Sequence, residues 1–176
     1  MKRMKKLNLF PKDTVYDAMS SPVGSLTILA SPKGIHRILW ENETNTQICD
    51  VILKNFERNV CHEIITQTKQ QLTEYFEGKR KVFNLPLCLD GTAFQIQVWE
   101  ELCKIPYGET ISYGEQARRL GDKNKARAVG LSNGLNPIPI IVPCHRVIGS
   151  NGSLTGFGGG LENKVLLLQL ERKSSG

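Results

Sequence analysis

The run Asn136-Pro137-Ile138-Pro139-Ile140-Ile141-Val142-Pro143-Cys144-His145-Arg146-Val147 constrains this chain more than any other. Each proline fixes its own φ and drives the preceding residue out of the helical region, so no helix can pass through here. The stretch is expected to be extended and stiff, ending on a cysteine held between a proline and a histidine. The following Ile148-Gly149-Ser150-Asn151-Gly152-Ser153-Leu154 reads as a hairpin turning at Asn-Gly. Cys144 then sits where the chain changes direction, a good place to hold a small nucleophile still, with His145 as a neighbouring base.

On either side of this run the sequence divides into two halves of different character. In the first, Val15 to Met19, Ser25 to Ala30 and Ile35 to Trp40 read as strands separated by Ser-Pro-Val-Gly and Ser-Pro-Lys-Gly turns. Helices are expected over Gln47 to Arg58 and Ile65 to Phe76, the second with Leu72, Tyr75 and Phe76 on its apolar face and a stop at Gly78. Residues 79–90 look like a connection, giving an α/β domain over 1–88 and a mainly helical domain over 89–176. The second half opens with an amphipathic helix from Phe94 to Lys104, stopped by Ile105-Pro106-Tyr107-Gly108. Ser112 and Glu115 have the spacing of a capping box for a short helix, Tyr113 to Leu120, that ends at Gly121. A further helix, Asn124 to about Asn133, completes a helix-turn-helix pattern. Its small residues Ala126, Ala128, Gly130 and Ser132 suit close approach to a groove and tight helix packing equally well. The last helix, Leu161 to Arg172, carries an apolar stripe through Leu161, Val165 and Leu168, widened by Leu166, Leu167 and Leu170. It reads as largely buried, so Glu171 at its end calls for a partner, although a solvated terminal glutamate is the commoner case.

Composition narrows the function classes. A chain of 176 residues with 40% hydrophobic content can bury a real core. Nothing approaches the run of about eighteen apolar residues that a membrane span needs. The basic start, Met1 to Lys6, precedes a segment too short and polar for a signal-peptide core, which points to a cytoplasmic protein, or a nuclear one in a eukaryote. The five cysteines are scattered, without a C-x-x-C pair, so neither a disulfide framework nor a zinc ribbon is indicated. Cys49, Cys61, Cys88 and Cys103 read as plain core residues. The net charge of +6 is concentrated at Arg118, Arg119, Lys123, Lys125, Arg127 and Arg146, with Asp122 the single acid in that region. Such density suits an anionic partner, nucleic acid first among them, and also fits a solvated basic helix.

An ordinary thiol is only about 3% ionised at neutral pH, so Cys144 needs activation by a base, and the base needs a third group to orient it. Neighbouring side chains on an extended strand point to opposite faces, which favours a water between Cys144 and His145. Glu171 is the candidate for the third position. Other chemistries fit less well. A cysteine hydrolase would need an oxyanion hole. A zinc deaminase would need Pro-Cys-x-x-Cys, and the second cysteine is missing. Gly156-Phe157-Gly158-Gly159-Gly160 lacks the ending of a P-loop and the flanks of a dinucleotide fold, and is better read as a close-approach loop beside the cysteine.

The Pro143-Cys144-His145-Arg146-Val147 core, with Asn136-Pro137 before it, resembles the O6-alkylguanine-DNA alkyltransferases, suicide DNA-repair proteins. The resemblance extends over most of the chain. It includes Gln71 to Gly78, Gly91-Thr92-Ala93-Phe94-Gln95, Val98-Trp99, Ile105 to Thr110, Ser112-Tyr113-Gly114, Ala126 to Gly130 and Ser150 to Gly156. It implies a ribonuclease H-like α/β N-terminal domain and a mainly α C-terminal domain whose helix-turn-helix enters the minor groove of double-stranded DNA. The resemblance makes Cys144 the acceptor of an alkyl group from O6-alkylguanine, activated through water, His145 and Glu171, with Asn136 bracing the segment before it. Tyr113 would push on the phosphate beside the target and donate a proton as guanine leaves. Arg127 would fill the gap left by the flipped base, and Gly114 and Ser150 would contact the DNA. Val147, Phe157 and Gly158 would line the base pocket. Phe157 departs from the tyrosine of many members and Gly158 from the serine of some. No counterpart of the N-terminal zinc ligands of some members is present, so no metal, no cofactor, no membrane and no obligate protein partner are expected, and the protein should be a monomer. A non-catalytic lesion-binding relative is the alternative, although such proteins usually have tryptophan at the cysteine position. A helix-turn-helix regulator is a weaker third.

Overall fold

The computed structural model describes residues 10–42 and 46–176. The basic start of the chain, Met1 to Lys6, lies outside them. In the N-terminal half, β1 (Val15–Met19), β2 (Leu26–Ser31) and β3 (Gly34–Trp40) form an antiparallel meander, followed by α1 (Thr46–Asn55). The helix ends earlier than its sequence suggests, because Glu57–Arg58 leaves it to become β4, pairing parallel to β1. The sheet order is β3-β2-β1-β4, and α2 (Glu63–Phe76) packs across it through Ile64, Ile65, Thr68, Leu72 and Tyr75. Gly78 follows α2 at φ 72°, the left-handed geometry that glycine adopts at little cost.

Residues 79–90 are not a free linker. Ile35 donates its N–H to Pro86 O at 2.9 Å and accepts from Cys88 N at 2.8 Å, so the connection runs along the outer edge of β3. Beyond it, α3 (Ala93–Leu102) starts on a full capping box between Thr92 and Gln95. The pair Ser112 and Glu115, by contrast, makes only half of one. Ser112 Oγ accepts from Glu115 N at 3.0 Å, while the Glu115 carboxylate turns to Arg118 and Arg119 instead. Helix α4 (Tyr113–Arg119) is preceded by β5 (Ile111–Ser112), and after a 3-10 turn at Lys123–Lys125 comes α5 (Ala126–Gly134). Buried amides lock this helix-turn-helix together: Gln116 bonds both Val98 O and the Asn133 side chain.

One hydrophobic core runs through both halves, from Leu26, Ile28 and Ile38 in the sheet to Val98, Trp99, Val129 and Leu167. The proline-rich run lies against it and is not extended. Val142 N bonds Ile138 O at 2.9 Å, and Cys144 N bonds Val142 O at 2.9 Å, so the chain folds back on itself. Ile140 takes φ 74°, strained for a β-branched residue by about 1–3 kcal/mol, and is held there by complete burial. Cys144–Arg146 is a 3-10 turn, followed by β6 (Val147–Ile148), which pairs parallel to β5. The Asn-Gly turn is present, since Gly149 N bonds Ser153 O at 2.8 Å, but no strand returns along β6. That edge is taken by β5, which removes the expected hairpin.

The last helix, α6 (Leu161–Ser175), buries a different stripe from the one its leucines suggest. Lys164, Leu167, Leu168 and Glu171 face inward, while Leu161 and Val165 are exposed. The cysteines also differ from expectation. Cys61 and Cys103 are exposed, Cys49 and Cys88 are half-buried, and Cys144 alone is buried. Cys61 sits in a turn whose N–H bonds Asn59 Oδ1, and Cys103 caps the end of α3, positions set by backbone turns and not by packing. Among the described residues no helix is long and apolar enough to cross a membrane.

Candidate active site and nucleic-acid face

The site is assembled around the buried carboxylate of Glu171. Its Oε1 accepts from His145 Nε2 at 2.7 Å, Tyr75 Oη at 2.8 Å and Arg146 Nη2 at 2.9 Å. Its Oε2 accepts from Arg146 Nε at 3.0 Å and from the backbone N–H of Gly108 at 3.1 Å. Burial alone would push this carboxyl up, but the hydrogen bonds from His145 and Arg146 outweigh it and bring the group down to about 2. Burial drives His145 the other way, below its ordinary value, against the pull of Glu171, so the imidazole is neutral at neutral pH. With Nε2–H given to Glu171, the lone pair is on Nδ1, a buried atom with no hydrogen-bond partner among the described residues.

Arg146 is thus not part of the basic surface its position in the sequence suggested. It is buried, paired with Glu171 and donating Nη1 to Ile105 O at 2.7 Å. Burial also raises the Cys144 thiol, while an Asn136 hydrogen bond and the charge of Lys164 pull it down. Asn136 spans the folded-back segment, donating Nδ2 to Val142 O at 2.8 Å and accepting from Ile138 N at 3.0 Å. A small cavity beside Cys144 is lined by Asn136, Pro139, Phe157 and Gly158, and closed by Trp40 of β3.

Phe157 and Gly158 also line a larger cleft of about 800 Å³, whose other wall is formed by Tyr113, Ala126, Arg127, Gly130 and Leu131. Arg127 is exposed near the start of α5, and Tyr113 donates its hydroxyl to Thr155 O at 3.0 Å. The small residues of α5 divide between packing and exposure. Gly130 lies against the Tyr113 ring, Ser132 is buried, and Ala128 faces outward. Gly114 and Ser150 each lie two residues beyond the paired Ser112 and Ile148, and neither lines the cleft. Val147 lines neither space. Its side chain is buried and its carbonyl accepts from Lys164 Nζ at 2.7 Å.

Sequence reasoning missed three residues here: Lys164, Tyr75 and Trp40. Lys164 is fully buried, bonded to Val147 O and Thr155 O. Trp40 packs edge-on to Phe157 at 5.5 Å, and a Cβ on Gly159 would meet its ring at 2.6 Å. No local signal marks any of them, because their partners lie far away in sequence. Among the described residues no cluster of three or more His, Cys, Asp or Glu is placed to hold a metal.

A buried cysteine next in sequence to a carboxylate-held imidazole, near a cleft walled by a helix-turn-helix, suits a protein with a thiol nucleophile and a nucleic-acid face. Comparison with known proteins gives the same class. The model of the 6-O-methylguanine DNA methyltransferase ribonuclease-like domain matches residues 14–89, and that of the DNA-binding domain matches residues 93–173. The methylated-DNA–protein-cysteine methyltransferase of Methanosarcina mazei is 42% identical over 160 residues, covering 90% of this chain and 98% of that protein. The Mycolicibacterium paratuberculosis protein of the same name is 58% identical over 106 residues, covering 60% and 64%. The crystal structure of the Mycobacterium tuberculosis O6-methylguanine methyltransferase superimposes with a TM-score of 0.82 at 41% identity, covering 92% of this chain and 94% of that one. The M. tuberculosis OGT in complex with DNA gives 0.81 at 42% identity, covering 90% and 93%. The chain belongs to the methylated-DNA–protein-cysteine methyltransferase family, with its ribonuclease-like and DNA-binding domains in that order.

Proposed function

We propose that this protein repairs double-stranded DNA by moving the alkyl group of O6-alkylguanine irreversibly onto Cys144, one group per molecule, with the damaged base flipped out of the stack. The observation that carries this reading is the unpartnered, buried Nδ1 of His145 on an imidazole whose other nitrogen is held by Glu171. A water bonded to Nδ1 would relay the Cys144 proton to the imidazole. The thiolate Sγ then attacks the alkyl carbon, an S–C bond forms, the C–O6 bond breaks and its electron pair leaves with guanine. Burial keeps the Tyr113 phenol protonated, so it can supply the proton that guanine takes up. The imidazolium proton later restores Tyr113 through solvent. The product thioether has no good leaving group, which limits the protein to one turnover.

Base flipping costs a few kcal/mol, least for a weakly paired lesion, and so contributes to selection of damage. Arg127 and Tyr113, both on the cleft wall, are suited to hold the stack open and to press on the adjacent phosphate. Gly114 and Ser150 would contact the backbone, and Phe157 and Gly158 would hold the extruded base beside Cys144. Intact-protein mass after incubation with a duplex carrying one O6-methylguanine tests the reading. A gain of one methyl group that stops at one equivalent, maps to Cys144 and is absent in Cys144→Ala supports it. Binding with no mass change contradicts it and favours a protein that only recognises the lesion.

A further inference from the structure

One contact to Glu171 comes from the other domain. Tyr75 is fully buried in α2, donates its hydroxyl to Glu171 Oε1 at 2.8 Å and stands 3.5 Å from His145 Nε2. Its ring is anchored by Phe76 at 5.4 Å, Phe83 at 5.3 Å and Tyr107 at 6.0 Å. Those contacts give the ring an ordinary packing role that phenylalanine would fill equally well. The hydroxyl is different: most buried donors are paired, and the acceptor of this one is the Glu171 carboxylate.

We propose that Tyr75 is a positioning residue for transfer to Cys144. Its hydroxyl holds Glu171 Oε1 in line with His145 Nε2, and so fixes the imidazole tautomer that leaves Nδ1 open to the thiol proton. The inference rests on the reading of Cys144 as the acceptor.

Tyr75 has one proton to give, and both geometry and charge direct it to the carboxylate. Burial, reinforced by the neighbouring Glu171 charge, keeps the phenol protonated throughout the working range. With Tyr75 and Arg146 donating to Oε1, and Arg146 and Gly108 N donating to Oε2, the carboxylate presents its remaining acceptor direction to His145. A neutral imidazole carries one N–H, which is then on Nε2. Tyr75 also draws off part of the carboxylate charge that would otherwise act on the imidazole. The other charged groups acting on His145 are Glu171 and Lys164 from α6 and Arg146 beside it. Tyr107 reaches this group through the Arg146 guanidinium, 5.7 Å from its ring.

Single-turnover methyl transfer from an O6-methylguanine duplex, followed across the acid-to-neutral range, tests the role in wild type, Tyr75→Phe and Tyr107→Phe. The Tyr107 hydroxyl is buried without a hydrogen-bond partner among the described residues, so its removal is the matched control. Tyr75→Phe is expected to bind the duplex as wild type does and to transfer about tenfold more slowly, the loss of one hydrogen bond to a charged group. Its acid limb should move up by about half a pH unit, because the carboxylate freed of one donor becomes a better partner for imidazolium. Tyr107→Phe should keep both rate and limb. A Tyr75→Phe protein with the wild-type rate, or one slowed with its acid limb unmoved, overturns the proposal. Nitrogen-15 spectra of His145 in the wild type give a test that does not depend on a variant folding: the Nε2–H tautomer is expected, and the Nδ1–H tautomer overturns it. A wild-type protein that transfers nothing refutes the reading of Cys144 itself, a result distinct from transfer that is indifferent to Tyr75.

Discussion

Asp17 in β1 and Glu171 in α6 pose the same physical problem, a carboxylate with its side chain 1% exposed, and the two halves of the molecule solve it differently. Asp17 is held by Arg58, whose side chain is 61% exposed, and by Lys69 at 28%. Both cations reach inward from the surface. Glu171 is held by Arg146, 7% exposed, together with a buried histidine and a buried tyrosine. A buried ion pair is weak evidence of function by itself. What separates Glu171 from Asp17 is that one of its partners is a histidine kept neutral by burial and bonded in sequence to a cysteine on a cavity.

The largest expected effect follows from the exposure of the partners. Glu171→Ala leaves Arg146 charged with nowhere to turn, and should lower unfolding free energy in urea by about 3–5 kcal/mol. Asp17→Ala frees two cations that can reach water, and should cost only about 1–2 kcal/mol. Equal losses would break the distinction. Removing the cations sharpens it: Arg146→Ala strands a buried carboxylate at a cost of about 3 kcal/mol, whereas Arg58→Ala leaves Asp17 its Lys69 bond and should cost much less.

Acid provides a further test. His145 has its value depressed by burial, so unfolding takes up a proton, and stability falls as pH drops below the ordinary histidine value of 6.5. His36 is depressed in the same way and adds to this step. Glu171 and Asp17 are both lowered, so their contributions are complete above the ordinary values of 4.5 and 3.8 and are lost as pH falls toward the folded ones, about 2 for Glu171. Melting temperature against pH should therefore fall in two stages. His145→Gln should shrink the first, which Asp17→Asn leaves intact. A separate effect is expected where the halves touch. Gly159→Ala drives a Cβ to 2.6 Å from the Trp40 ring and should cost about 1–3 kcal/mol by overpacking, read as a lower melting temperature.

Much of this was legible in the sequence, and what was not has a common cause. Periodicity and turn residues located β1 to β3 and the main helices, because those signals are local. Glu171 stood out because an acid at the end of an apolar helix needs a partner. Arg146 was assigned to the surface by its neighbours in sequence, yet its partner lies 25 residues away. Lys164 and Tyr75 acquire their roles from bonds spanning 17 and 96 residues. The fold-back before Cys144 depends on Asn136 bridging to Val142 and on a left-handed isoleucine, which no propensity favours. The Glu57–Arg58 strand is too short to show a period.

The difference between the two carboxylates is most directly measured by single-turnover methyl transfer from an O6-methylguanine duplex in Glu171→Gln and Asp17→Asn, side by side. The account predicts that Glu171→Gln slows transfer by at least about a hundredfold, the scale of a disabled acid–base partner, while Asp17→Asn transfers at the wild-type rate. Equal rates in the two variants, whether both fast or both slow, would contradict it.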